Sequence, residues 1–168
     1  EFELFNGNYV VLTLHRPSNV DEENSLIDLL IGIDQMVNDK KIIFPIHPRT
    51  KAILGEKNFN LKNIYFVEPQ GYLNFMFLLK NSFAVITDSG GISEETTVLG
   101  IPCFTMRNNT ERPETQTVGT NTLVGTSIAN LNKMFGDFLQ NGTRKAGIPA
   151  LWDGKASERI ITILLSKK

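Results

Sequence analysis

The sequence has one cysteine, two histidines and one tryptophan in 168 residues. A lone cysteine, Cys103, excludes an internal disulfide framework, and two histidines beside it are too few for a Cys/His zinc centre. A reducing cytoplasm fits this cysteine usage. No apolar run approaches the ~18–20 residues of a membrane-crossing helix, and Glu1 to Asn8 lack the basic and apolar regions of a signal peptide. Excess charge is missing too. Seventeen Lys and Arg stand against 18 Asp and Glu, a formal net charge of −1. No global field therefore draws nucleic acid or an anionic membrane, and an anionic ligand has to be held locally. Neither GxGxxG nor Gly-Lys-Ser/Thr occurs, which removes the dinucleotide fingerprint and the P-loop. An initiator Met is also missing at Glu1, so the chain reads as a fragment.

What is present fits one domain, residues 1–168, since a domain takes about 100–200 residues. Apolar runs suited to strands lie at Tyr9–Leu14, Ile42–Ile46, Ile64–Val67, Ala84–Thr87, Cys103–Met106 and Thr122–Val124. Most are continuous and not alternating, as expected of strands covered on both faces in a parallel sheet. Helical spacing falls between them. Leu26, Leu29, Leu30, Ile33, Met36 and Val37 share one face, behind the capping-type residues Asn19 and Asp21. Further helices are expected at Leu73–Lys80, Ile128–Leu139 and Ala156–Leu165. The last would pack Ile160, Ile161, Leu164 and Leu165 onto the sheet, with Trp152-Asp153-Gly154 starting it and packing. The rhythm predicts an α/β fold: a doubly wound, mostly parallel sheet with helices on both faces.

Such sheets bind ligands beyond the carboxyl ends of their strands, and those ends are polar here. They carry His15-Arg16-Pro17-Ser18-Asn19, His47-Pro48-Arg49-Thr50, Glu68-Pro69-Gln70-Gly71, Asp88-Ser89-Gly90-Gly91 and Arg107 to Glu114. Ser89, Gly90 and Gly91 join a buried strand to a helix start, where backbone N–H groups and a hydroxyl can approach a diphosphate. Glu95, about one turn on, could accept from both hydroxyls of a ribose. The plainer alternative is that the two glycines only make a tight turn. His15 and His47 each follow a strand and stand near an arginine, and imidazole suits proton transfer while Arg16, Arg49 and Arg112 suit phosphate charge. His47 could equally fill the corner where Pro48 ends a strand. Phe75, Phe77 and Phe83 read as core aromatics, although Phe75 sits on a rim-proximal helix and could stack on a base. Cys103, inside an apolar run with no base nearby in sequence, reads as a small buried hydrophobe.

In this order the rim residues resemble the non-hydrolysing UDP-N-acetylglucosamine 2-epimerases. The matching segments are His15-Arg16 with Asn19, Pro45-Ile46-His47-Pro48, Thr87-Asp88-Ser89-Gly90-Gly91 with Glu94-Glu95, Gly100-Ile101-Pro102, Thr110-Glu111-Arg112-Pro113-Glu114, Gly119-Thr120-Asn121 and Leu123-Val124-Gly125. The resemblance implies a Rossmann-like lobe of the two-lobed GT-B fold. The chain would be the C-terminal lobe that holds the nucleotide, with its N-terminal partner lobe absent from the chain and a homodimeric parent. It implies inversion at C2 of the sugar by elimination and re-addition of UDP, with no metal or redox cofactor. Ser89, Gly90 and Gly91 would hold the phosphates, Glu95 the ribose and Phe75 the uracil region. His15 matches a catalytic histidine, Glu111 and Arg112 match rim positions near the sugar phosphate, and Arg16 and His47 match positions lining the substrate or an adjacent effector site. Ser18 stands where many members have Glu. Arg49-Thr50 is a variant shared with relatives that act on other UDP-sugars, so a modified UDP-2-acetamido sugar is an alternative substrate. A donor-binding lobe of a GT-B glycosyltransferase is an alternative of another class.

Overall fold

The continuous apolar runs resolve into two sets of side chains once each is extended, because alternate residues of a strand point to opposite faces. In the computed structural model, which describes residues 7–37, 40–55, 60–142 and 146–166, Val10, Leu12 and Leu14 enter one core with Ile42, Phe44, Ala84 and Ile86. Tyr9 and Val11 enter the opposite one with Ile43 and Val85. Both faces are covered, which is why no polar alternation marks these strands.

The strands are β1 (Tyr9–Thr13), β2 (Lys41–Pro45), β3 (Ile64–Val67), β4 (Ala84–Thr87), β5 (Cys103–Thr105) and β6 (Asn121–Leu123). They form a sheet of order β3-β2-β1-β4-β5-β6 in which every pairing is parallel. The predicted doubly wound α/β architecture is therefore present, and among the described strands it is wholly and not mostly parallel. Strand order reverses between β1 and β4, whose register sets Val10 against Ala84 and Thr13 against Thr87. At that reversal the following segments diverge to opposite faces and leave a crevice at the carboxyl ends.

The described helices are α1 (Pro17–Val20), α2 (Glu23–Met36), α3 (Pro48–Leu54), α4 (Tyr72–Lys80), α5 (Gly90–Leu99), α6 (Pro113–Thr117), α7 (Ile128–Asn141) and α8 (Ala156–Ser166). α2 and α7 cover the larger core through Leu26, Leu29, Leu30, Ile33, Leu131 and Phe135. Their close approach is made at Gly32, where a Cβ would lie 2.4 Å from Ile128 Cγ1. α4 and α5 cover the smaller face with Leu79 and Ile92. Cys103 is fully buried, which pushes its thiol up to about 11 and fits the reading of a small hydrophobe.

Three expectations need correcting. The cap of α2 is Glu22, whose side chain accepts from Ser25 N. Asp21 pairs instead with Arg49, and Asn19 is buried in α1, a turn that the apolar spacing does not signal. The apolar side chains of α8 do not pack onto the sheet: Ile160, Ile161, Leu164 and Leu165 are 56–66% exposed. The start of α8 is as expected: Trp152 is half-buried and lines a cavity together with residues of α4 and α5, and Asp153 binds Lys155 N and Arg159. Phe77 is exposed and not a core aromatic.

Candidate active site at the sheet rim

Asp88 follows the fully buried β4 and is itself 0% exposed. A buried carboxylate is costly unless its oxygens are fully engaged, and the β1 side of the crevice engages them. Oδ2 accepts from His15 N at 3.0 Å, Arg16 N at 2.9 Å and Asn19 Nδ2 at 3.1 Å. Oδ1 lies 2.8 Å from His15 Nδ1. Asn19 Nδ2 also reaches Met106 O after β5, and Thr13 and Thr87 hydroxyls meet at 2.6 Å below. The segment after β1 is thus tied to the carboxylate at the end of β4, Asn19 links both to the segment after β5, and His15 is held by the carboxylate with 46% of its side chain exposed.

Beyond Asp88 the chain enters α5. Ser89 is the N-cap residue, yet its hydroxyl makes no capping bond, so the first-turn N–H groups have no side-chain cap. Packing does not demand the two glycines. Neither has a positive φ. A Cβ on Gly91 would meet only Ser89 Oγ at 3.9 Å, and one on Gly90 would come no closer than 3.5 Å to Arg107 Nη1 and 3.7 Å to Glu111 Oε2. The tight-turn alternative therefore does not explain them; they keep the helix end bare.

Those same distances put the β5 loop beside the turn. Arg107 donates twice to Glu111, at 2.8 and 3.1 Å. The Arg107 guanidinium, assisted more weakly by Arg16, holds the Glu111 carboxyl down at about 2. Arg112 pairs through Nε with Glu94. Glu94 and Glu95 line a cavity of about 480 Å³ with Arg112, Tyr72, Val98 and Trp152. Partial burial, and then the neighbouring Glu94, raise the Glu95 carboxyl.

The structure thus gathers His15, the backbone of Arg16, Ser89, Gly90, Gly91 and Glu111 around the crevice, and places Glu95 with Arg112 in the adjoining cavity. Phe75 is not among that cavity's lining residues; it is half-buried against the smaller core. His47 caps α3, its Nδ1 accepting from Arg49 N at 3.2 Å, which is the corner role. Sequence reasoning assigned no task to Asp88 or Arg107, and took Asn19 only for a capping residue. The available signal was an ionisable residue directly after a buried apolar strand, where burial obliges partners.

A family model described as UDP-N-acetylglucosamine 2-epimerase matches residues 1–165. The chain belongs to the UDP-N-acetylglucosamine 2-epimerase family. It is 45% identical over 170 residues to the UDP-N-acetylglucosamine 2-epimerase of Methanocaldococcus jannaschii, covering 96% of this chain and 45% of that protein. The crystal structure of the M. jannaschii enzyme in complex with UDP-GlcNAc and UDP superposes with a TM-score of 0.78 at 43% identity, over 96% of this chain and 46% of the other. The family also includes a Pseudomonas aeruginosa relative named UDP-2,3-diacetamido-2,3-dideoxy-D-glucuronate 2-epimerase, 32% identical over 93% of this chain and 44% of its own length. An E. coli heptosyltransferase with ADP shares the fold alone, at 17% identity and a TM-score of 0.56 over 82% of this chain and 45% of the other. The chain spans about half the length of the curated epimerases it matches. Among the described residues no helix is long and apolar enough to cross a membrane.

Proposed function

We propose that this chain is the nucleotide-binding C-terminal lobe of a UDP-N-acetylglucosamine 2-epimerase that interconverts UDP-N-acetylglucosamine and UDP-N-acetylmannosamine. The observation that carries the reading is the bare Ser89-Gly90-Gly91 end of α5, two glycines that neither packing nor backbone conformation requires, beside Arg107 and Glu111. A diphosphate seated there meets oriented N–H groups, the Ser89 hydroxyl and guanidinium charge. Glu95 takes the ribose hydroxyls in the adjoining cavity, and the uracil lies toward α4, where Tyr72 lines that cavity and Phe75 stands on the same helix.

The reaction makes sense of those groups. Removal of the C2 proton forms the C1–C2 double bond as the C1–O bond breaks, and the electron pair leaves with UDP. Return of the diphosphate oxygen to C1 and of a proton to the opposite face of C2 completes inversion. Negative charge grows on the diphosphate as C–O cleavage proceeds, where α5, Arg107 and Arg112 stabilise it. His15 is the rim group that takes and returns a proton, and Glu111 and Arg112 exchange their present partners for substrate. Arg16 and His47 line the sugar side. The base working at C2 comes from the partner lobe that completes a two-lobed, homodimeric cytoplasmic enzyme.

Calorimetric titration of the 168-residue chain with UDP tests the nucleotide site: binding without turnover is expected, and a folded chain with no detectable binding overturns it. NMR of C2 inversion by the full-length parent tests the reaction. A second substrate reading is supported by Arg49-Thr50 and the Pseudomonas relative; faster turnover of a diacetamido UDP-uronate than of UDP-N-acetylglucosamine would select it.

A further inference from the structure

We propose that the two rim histidines hold opposite neutral tautomers, so that His15 presents a proton acceptor and His47 a proton donor to the ligand side. This deepens the epimerase reading and rests on it for its catalytic meaning, though the tautomers follow from the free chain alone.

The ring nitrogens of a neutral imidazole differ: one carries hydrogen and the other a lone pair, and fixed partners decide which is which. At His15 the partner of Nδ1 is Asp88 Oδ1 at 2.8 Å. A carboxylate only accepts, so Nδ1 carries the hydrogen and Nε2 the lone pair. The carboxylate cannot turn away, because its other oxygen is committed to His15 N, Arg16 N and Asn19 Nδ2. At His47 the partner of Nδ1 is the Arg49 backbone N–H at 3.2 Å. That group only donates, so His47 Nδ1 carries the lone pair and Nε2 the hydrogen.

The assignment divides the work. His15 takes a proton at Nε2 while Nδ1–H stays on Asp88, so the ring keeps its orientation through the transfer. His47 offers Nε2–H to an oxygen acceptor, a phosphate or a sugar hydroxyl, and does not act as base while it caps α3. Asp88, which the sheet keeps out of reach of solvent, is a positioning residue for His15.

Long-range 1H–15N correlation on the histidine-labelled 168-residue chain, recorded where both imidazoles are neutral, reads this directly, with His47→Asn assigning the two spin systems. The expected result is one ring protonated at Nδ1, His15, and one protonated at Nε2, His47. Two rings with the same tautomer, or the reverse assignment, overturn the proposal. Asp88→Asn sharpens it. Its amide oxygen has to take the place facing three donors, which puts its NH2 against His15 Nδ1 and forces that nitrogen to accept. His15 should therefore switch from mainly Nδ1–H to mainly Nε2–H, with His47 unchanged; a folded variant whose His15 keeps Nδ1–H overturns the positioning role. If Asp88→Asn does not fold, the unmodified chain still decides between the tautomers. Loss of UDP binding is a separate outcome: it rejects the nucleotide reading and leaves the ring assignments as measured.

Discussion

The two ends of the rim are built in opposite ways. At the β1/β4 crevice, one fully buried carboxylate, Asp88, engages two backbone N–H groups, a buried asparagine and an imidazole. At the β5 end, Arg112 and Glu94 form an ion pair 49% and 36% exposed, and Arg107, itself only 11% exposed, pairs with a Glu111 that is 63% exposed. Buried polar networks are rigid because each partner is costly to leave unmet, whereas exposed ion pairs contribute little and exchange readily. The first end is preorganised. The second is charge held in reserve, able to leave an internal partner for a phosphate.

The sharpest way to break this contrast is Asp88→Ala. It strands His15 N, Arg16 N and the buried Asn19 amide, and should cost about 3 kcal/mol or more in chemical denaturation; a loss below about 1 kcal/mol would mean that the crevice is no more rigid than the β5 end. Next is Gly91→Ala, where the added methyl meets nothing closer than 3.9 Å. Stability should hold or rise by about 0.5–1 kcal/mol through helix propensity, while UDP affinity measured by calorimetry falls about tenfold or more because the methyl occupies the phosphate's place. Unchanged affinity would remove the diphosphate from this turn.

Arg112→Ala should act at the reserve end in the opposite sense to Asp88→Ala. The melting temperature stays the same, and UDP binding weakens by about threefold to tenfold at low salt, less at high salt where such charges are screened. A large drop in melting temperature would show that the β5 pairs are structural after all. The Glu111 carboxyl sits at about 2 in the folded chain against an ordinary 4.5, held by Arg107. Its folded value lies below the unfolded one, so its contribution is present above pH 4.5 and lost as pH falls from there toward 2. A 13C titration of that carboxyl should show its midpoint near the lower value; a midpoint near the upper one would break the Arg107 pairing. The smallest effect is expected at α8. Replacing Ile161 and Leu164 by Ser removes side chains 56% and 66% exposed and should shift the stability of this chain by about 0.5 kcal/mol or less.

How far these features were legible depends on whether their cause is local. The β4 run, Ala84 to Thr87, and the α2 face through Leu26, Leu30 and Ile33 are set by near neighbours, and both are found where the periodicity places them. α3 was missed because only seven residues, Pro48–Leu54, compose it, too few to show a period. α8 was misread for the opposite reason. Its apolar spacing is strong, yet spacing says which side chains share a face and not what covers them, and here the sheet does not. Among site residues, Ser89, Gly90 and Gly91 stood out because glycine pairs after a buried strand are locally unusual. Asp88 does not stand out in that way, since nothing near it in sequence reveals its partners.

The sequence by itself determined the alternation of strands and helices, the six apolar runs, the order of the polar strand ends and, through that order, the family. Those are properties of neighbours and spacing, carried by side-chain type and backbone periodicity. Only the tertiary structure decided that His15 answers to Asp88, 73 residues away, that Glu111 belongs to Arg107 and that His47 is used by its own helix. The pairing across the crevice exists because the strand order runs outward from β1 and β4 in both directions, bringing two distant loops to one point. A buried carboxylate then has to find its donors there, and the imidazole is among them.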